Sequence, residues 1–190
     1  YSINNVVNLY KSISVSFKLS VQLISKTFFD ISLFATFKCK YCSFPLIGLK
    51  ENNITTEQKL YDHIMSIRDK TGITNFILAE DTFNDRTDKV VSLANVVAKL
   101  DFNPMFAAFI RIDLYHRFPE MMKAAAAAGI VGHAMGIETF NHNSGKFIGK
   151  GLHPDIVKET LLNTEKYFET HGLHNDFYGY TTNIAGLPYD

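Results

Sequence analysis

The sequence predicts an α/β fold with a parallel sheet and outer helices, and three observations carry that reading. Short apolar runs bounded by turn residues alternate with longer segments of helical period, the mark of repeated strand-helix units. The chain is 46% hydrophobic and 20% charged, with 19 basic residues against 19 acidic, which excludes a disordered polymer and a polyanion-binding tail. Its 190 residues are enough for one core of ordinary size and too few for a second independent one.

Five strands and four helices follow from the pattern. The first strand is expected at 29–34 (Phe-Asp-Ile-Ser-Leu-Phe), running into a loop that holds both cysteines. Thr55-Thr56-Glu57-Gln58 fits a capping box, Leu60, Ile64 and Ile67 recur at helical spacing, and Gly72 supplies a stop. The second strand, 76–79, ends at Glu80-Asp81. Its helix starts near Asp85 or Thr87, carries Val90, Leu93, Ala94, Val97 and Leu100 on one stripe, and ends before Asn103-Pro104. The third strand is expected at 105–113, where alternation sets Phe109, Arg111 and Asp113 on one face. Pro119 suits the first turn of the next helix, the alanine run 124–128 propagates it, and Gly129 fits its end. The fourth strand is expected at 132–138. A loop rich in Asn and Gly, 139–153, precedes a helix opened by Pro154 and closed by Gly172, and long strand-to-helix loops usually carry function. The fifth strand is expected at 181–185. Residues 1–28 lack a clean period and read as an N-terminal extension to a core at 29–190. Met121, Met122 and the many phenylalanines read as core.

No apolar run reaches the roughly 18 residues that a membrane helix needs, because Lys18, Lys26 and Asp30 interrupt the most hydrophobic stretch. The chain opens at Tyr1 and shows no signal-peptide pattern, so a cytoplasmic protein, or a fragment of one, is expected. Zero net charge gives no sign of nucleic acid. The only cysteines stand at Cys39-Lys40-Tyr41-Cys42, a C-x-x-C pair that suits dithiol exchange, half a zinc site or part of an iron-sulfur site. Pro45 and Gly48 follow at once and argue for a loop rather than the helix N-terminus of a thioredoxin-like site. His171 and His174 could complete a zinc site, although they lack the usual spacing. The run 145–151 has the wrong spacing for a phosphate loop.

The segment Phe37-Lys38-Cys39-Lys40-Tyr41-Cys42-Ser43-Phe44-Pro45, after a strand and ahead of further strand-helix units, resembles the cluster loop of the radical S-adenosylmethionine (SAM) superfamily. The family motif is C-x-x-x-C-x-x-C with an aromatic residue before the last cysteine, a place Tyr41 fills. The resemblance implies Cys39 and Cys42 as ligands of a four-iron four-sulfur cluster whose open iron chelates SAM. An electron delivered there would release a 5′-deoxyadenosyl radical. The first cysteine position falls on Ala35, within Leu33-Phe34-Ala35-Thr36 where the family usually has Arg-Gly-Cys-Pro, and alanine has no donor atom.

The likeness runs from about residue 29 to 190 and is closest to the subgroup found beside cobalamin-binding domains. Glu80-Asp81-Thr82-Phe83 resembles its second-strand motif, in the place where other members hold the SAM amino group. Arg111-Ile112-Asp113 falls where the family keeps polar contacts to SAM. Gly136-Ile137-Glu138-Thr139, with Asn141 and Ile148-Gly149-Lys150-Gly151, resembles the fourth-strand motif and its loop. Ile184-Ala185-Gly186-Leu187-Pro188 resembles the segment that packs against adenine. SAM-binding residues implied in this way are Tyr41, Glu80, Asp81, Arg111, Asp113, Glu138, Ile184 and Gly186. The expected fold becomes a partial (β/α) barrel of radical SAM type with about five parallel strands. At roughly 31 residues per unit, 29–190 should hold five units, one short of the family's six-stranded partial barrels, so the core reads as cut off at its fifth strand. Cobalamin is implied only for a domain outside these residues, and the electron donor would be a flavodoxin or ferredoxin.

Elementary physics agrees with that placement, because Glu80, Asp81, Arg111, Asp113, Glu138 and Asp190 all fall at predicted C-terminal strand ends, the catalytic rim of β/α barrels. A cationic SAM that carries a carboxylate suits both carboxylates and a guanidinium. Glu138 follows a nearly uncharged strand and must meet water, a cation or a ligand hydroxyl. Asp81 and Asp85 serve equally as helix caps, and Arg111 with Asp113 as a structural ion pair. Three functions therefore stand: a radical SAM protein acting on an unspecified substrate, the same fold with its cluster lost and serving as a non-catalytic binding module, or an unrelated C-x-x-C redox or metal-binding α/β domain.

Overall fold

In the computed structural model, residues 55–80, 82–150 and 152–189 are described. The expected first strand, the cysteine loop with Ala35, Cys39, Tyr41 and Cys42, and Asp81 lie outside them. The chain order is α1 (Glu57–Thr71), β1 (Asn75–Leu78), a 3-10 turn (Phe83–Asp85), α2 (Thr87–Val97), β2 (Met105–Ile110), α3 (Ile112–Arg117), α4 (Pro119–Ala127), β3 (Ile130–Glu138), α5 (His142–Ile148), α6 (Pro154–His171) and β4 (Tyr178–Asn183).

The sheet is parallel throughout in the order β1-β2-β3-β4. When consecutive strands are neighbours and each crossover is right-handed, all connecting helices land on the same face. The buried Phe76, Leu78, Phe106, Ala108, Ile110 and Met135 belong to that covered face. Alternation puts Ile77, Ala107, Phe109, Gly132, Ala134, Gly136 and Tyr180 on the other one. Phe109 and Tyr180 stand exposed there, so among the described residues it is the open side. This is one wall of a partial barrel, with the described helices outside.

The helices form for the reasons their sequences suggest. In α1 the buried Leu60, Ile64 and Ile67 make one stripe, and in α2 Val90, Leu93, Val96 and Val97 make another. Pro119 is the first residue of α4, and Pro154 the first of α6. Gly72 and Gly129 take the left-handed conformation (φ 71° and 74°) that lets the chain leave a helix without a Cβ clash.

Several expectations are corrected. The cap of α1 is Thr56, whose side chain accepts from the Lys59 amide, so the cap lies one residue later than expected and, with Lys59 at the third helical position, it is a single cap rather than a capping box. The third strand stops at Ile110 rather than Asp113: Ile112, Leu114 and Tyr115 are buried at helical spacing, and α3 begins at once. Arg111 and Asp113 thus belong to a turn and a first helical turn, and strand alternation does not govern where they point. The expected loop 139–153 contains α5, capped by Asn141. The last strand lies at Tyr178–Asn183, which leaves Ile184 and Gly186 beyond its end. Phe109, Phe118, Phe140 and Phe147 are exposed instead of core. Asp85 caps no helix, since α2 starts after Arg86 without a side-chain cap.

Candidate functional site

The C-terminal ends of β2 and β3 meet in a cleft of about 470 Å³, part of it open solvent, lined among others by Arg111, Asp113, Gly136, Thr139, Asn141 and Lys150. At the β2 end, the fully buried Asn84 substitutes for a neighbouring strand. Its Nδ2 donates to the Arg111 carbonyl (2.9 Å) and its Oδ1 accepts from the Arg111 amide (2.8 Å). That two-point hold fixes where Arg111 leaves the sheet. The guanidinium then reaches Asp113 in a forked pair, Nε to Oδ1 at 3.0 Å and Nη2 to Oδ2 at 2.8 Å, with both side chains less than a fifth exposed. Such a planar pair keeps the Arg111 fork oriented at the cleft wall.

The β3 end is distorted where the sequence puts its glutamate. Gly136 pairs with Thr182 and Glu138 with Asn183, so Ile137 is an extra residue and the ladder bulges. Glu138 has φ 70°, a left-handed conformation that typically costs a non-glycine residue about 1–3 kcal/mol and clusters at functional positions. Its carbonyl accepts from the Ile184 amide at 2.8 Å, which anchors the segment that follows β4. The nearly buried Glu138 side chain folds back over Gly136: a Cβ at Gly136 would fall 2.6 Å from Glu138 Oε1 and 3.8 Å from Lys150 Nζ. Lys150 Nζ donates to the Gly136 carbonyl at 2.6 Å. A carboxylate and an ammonium therefore converge on one glycine at the open face, in space that any other residue there would fill.

The segment after β4 comes back to the same rim. Asn141 Nδ2 donates to the Tyr189 carbonyl (2.6 Å) and Ser144 Oγ to the Pro188 carbonyl (2.7 Å). The sequence-implied Arg111, Asp113, Glu138 and Ile184 are thus brought to one rim, and Gly186 lies in the strapped segment. Glu80 is not among them. It is buried at the end of β1, where Lys89 Nζ pairs with it and with Asp85, and the same ammonium lies 5.3 Å from the Phe83 ring centroid.

Sequence reasoning overlooked Asn84, Lys89, Lys150 and Ser144 as working residues. Lys89 had a legible signal: it sits four residues after Asp85, on the stripe that carries Val90 and Leu93. Asn84 and Ser144 act through backbone groups remote in sequence, and no local pattern announces that. His133, on the covered face of β3, is enclosed by Tyr115, Phe168 and Phe177, with Nε2 3.3 Å from the Tyr115 hydroxyl. Burial pushes His133 down to about 4 and raises the Tyr115 hydroxyl above its ordinary range. Both belong to the core.

For SAM, the donor set at the rim fits: a guanidinium and a lysine for its carboxylate, carboxylates for its cationic and hydroxyl groups, and a glycine where backbone must come close. For a cluster held by three thiolates the set is one short, because the whole chain has two cysteines. Among the described residues no group of three metal-binding side chains occurs, and no helix is long and apolar enough to cross a membrane.

Three solved structures of the cobalamin-dependent S-adenosylmethionine radical enzyme OxsB are similar to this fold. The form with aqua-cobalamin bound superposes with a TM-score of 0.57 at 14% identity, and the form with aqua-cobalamin and S-adenosylmethionine with 0.56 at 12%. Each match covers 69% of this chain and 20% of the enzyme. The apo, selenomethionine-labelled form gives 0.56 at 13%, over 77% and 22%. This chain therefore spans about a fifth of the length of those enzymes, and at such identities the likeness speaks for the fold. No curated protein sequence matches. The model of the radical SAM superfamily matches residues 31–189, nearly all of the core that the strand-helix pattern delimits, and on that match the chain belongs to the radical SAM superfamily.

Proposed function

We propose that these residues are the SAM-binding barrel core of a radical SAM protein, acting on a substrate chosen by segments outside the shared core. Membership of the superfamily implies an iron-sulfur cluster and SAM as its working groups. The observation that carries the reading is the convergence of Arg111, Asp113, Glu138 and Lys150 with the strapped segment 184–189 on one rim. In this reading Arg111, oriented by Asp113 and Asn84, takes the SAM carboxylate. Glu138 takes the ribose hydroxyls, with its strained backbone preset for that contact. Ile184 and Gly186 border the adenine, and the family resemblance adds Tyr41 and Asp81 to the set. Glu80 contributes through the Lys89 pair rather than as a free carboxylate. A cluster held by Cys39, Cys42 and a third ligand would supply the one electron for reductive cleavage of SAM into methionine and a 5′-deoxyadenosyl radical.

Cys39 and Cys42 hold the cluster, and the third thiolate must come from elsewhere, since position 35 is alanine. The same two-cysteine count favours a second reading, in which the fold persists as a binding module after losing its cluster. Anaerobic reconstitution with iron and sulfide separates the two, followed by iron counting, electron paramagnetic resonance and an assay for 5′-deoxyadenosine, beside an Ala35→Cys variant. Four irons with SAM cleavage in the native chain establish the enzyme. Rescue in the variant alone establishes the binding module, and no cluster in either protein sinks the radical reading.

A further inference from the structure

We propose that Asn141 and Ser144 are positioning residues that strap the segment 184–189 over the site, so that affinity for the adenosyl end of the ligand is set from a different strand-helix unit. The inference rests on the proposed SAM-binding reading. Asn141 faces two ways: its Oδ1 accepts from the amides of Asn143 and Ser144 and caps α5, while its Nδ2 donates to the Tyr189 carbonyl. Its own amide donates to Thr139 Oγ1 at 3.0 Å, one residue from the strained Glu138. The fully buried Ser144 donates to the Pro188 carbonyl, and the Phe147 and Tyr189 rings meet edge to face at 6.3 Å.

With the bond from the Ile184 amide to the Glu138 carbonyl, the segment is held at both ends by one short stretch, 138–147. The held atoms are main-chain carbonyls in a run whose side chains are half-buried to exposed. A carbonyl fixed by a side chain of the preceding strand-helix unit is a device for placing backbone, and backbone at this rim is what an adenine edge and ribose would meet.

Two variants test it in the full chain. Ser144→Ala removes one donor. Asn141→Asp keeps the helix cap, since aspartate caps as well as asparagine, and replaces the Nδ2 donor with a carboxylate oxygen that repels the Tyr189 carbonyl. Deuterium uptake of 184–189 and the Kd for S-adenosylhomocysteine are measured, with the thermal midpoint and uptake in β1 and β2 as controls. The expected result is faster exchange at 184–189 and a Kd about fivefold weaker in each variant, the effect of one net hydrogen bond, with the controls at wild-type values. Faster exchange with an unchanged Kd overturns the positioning role while leaving the SAM reading intact. So does a loss of affinity that comes with equally raised exchange in β1 and β2. A wild-type chain that fails to bind S-adenosylhomocysteine overturns the SAM reading and this inference with it.

Discussion

Replacing Lys89 with methionine should destabilise the chain by about 3–5 kcal/mol, the usual effect of removing one partner from a buried ion pair. The magnitude follows from burial: the side chains of Lys89, Glu80 and Asp85 are 8%, 4% and 13% exposed, so little water is available to replace the lost ammonium. The Glu80 and Asp85 carboxylates would both lose the ammonium they share. At about 2–4 °C per kcal/mol for a domain of this size, the thermal midpoint should fall by roughly 10 °C. Urea unfolding of Lys89→Met, Glu80→Gln, Asp85→Asn and their combinations measures the coupling directly. The triple variant should recover most of the loss, because a neutral trio of similar volume carries no unpaired charge. A Lys89→Met chain within about 1 kcal/mol of wild type would refute the reasoning, since that is the scale of an exposed pair. It would also return Glu80 to the list of residues open to a ligand.

Two further outcomes follow from the geometry. Asn84→Ala should cost about 1–3 kcal/mol in urea unfolding, because it removes the hydrogen bond to the Arg111 amide and leaves the Arg111 carbonyl with the weaker bond from the Leu114 amide (3.2 Å), and it should also weaken S-adenosylhomocysteine binding as Arg111 loses its fixed exit. Unchanged binding in a folded Asn84→Ala chain would separate Arg111 from the site. For His133, whose folded value lies near 4 instead of 6.5, the unfolded chain takes up a proton between those values that the folded chain refuses. Its contribution is full above about pH 6.5 and declines as pH falls to about 4, by about 3 kcal/mol at 1.36 kcal/mol per pKa unit. A His133→Gln chain should lose correspondingly less stability over that window, and equal slopes in the two proteins would show His133 to be unimportant there.

The fold class was legible because periodicity is a local property. Pro119, Gly129, Pro154 and the stripes of α1 and α2 mark their elements within a few residues. The end of β2 is obscured for the opposite reason: the apolar alternation runs on past Ile110 through Ile112 and Leu114, and only the packing of α3 against α6 tells strand from helix there. At the site, Glu138 could be singled out as a charge closing an apolar strand, and Arg111 and Asp113 by their place at a strand end. The distortion at Glu138 was not legible, since a bulge is a property of two strands and β4 had been placed three residues late. Asn84 and Ser144 were invisible because their partners are carbonyls and amides, which every residue has.

The strand order described above also bears on how the chain assembles. Among the described residues each strand pairs with its neighbours in sequence, so within β1 to β4 each pairing closes a loop made of its own crossover. The crossover from β3 to β4 is the longest, holding both α5 and α6, and loop-closure entropy grows with length. The sheet can therefore add strands in order as the polypeptide emerges from the ribosome, with β4 last. Because Asn141 and Ser144 lie within that final crossover while their acceptors follow β4, the ligand-facing rim is completed only when the last of these strands docks, and a nascent chain holding β1 to β3 alone would carry a formed core without a finished site.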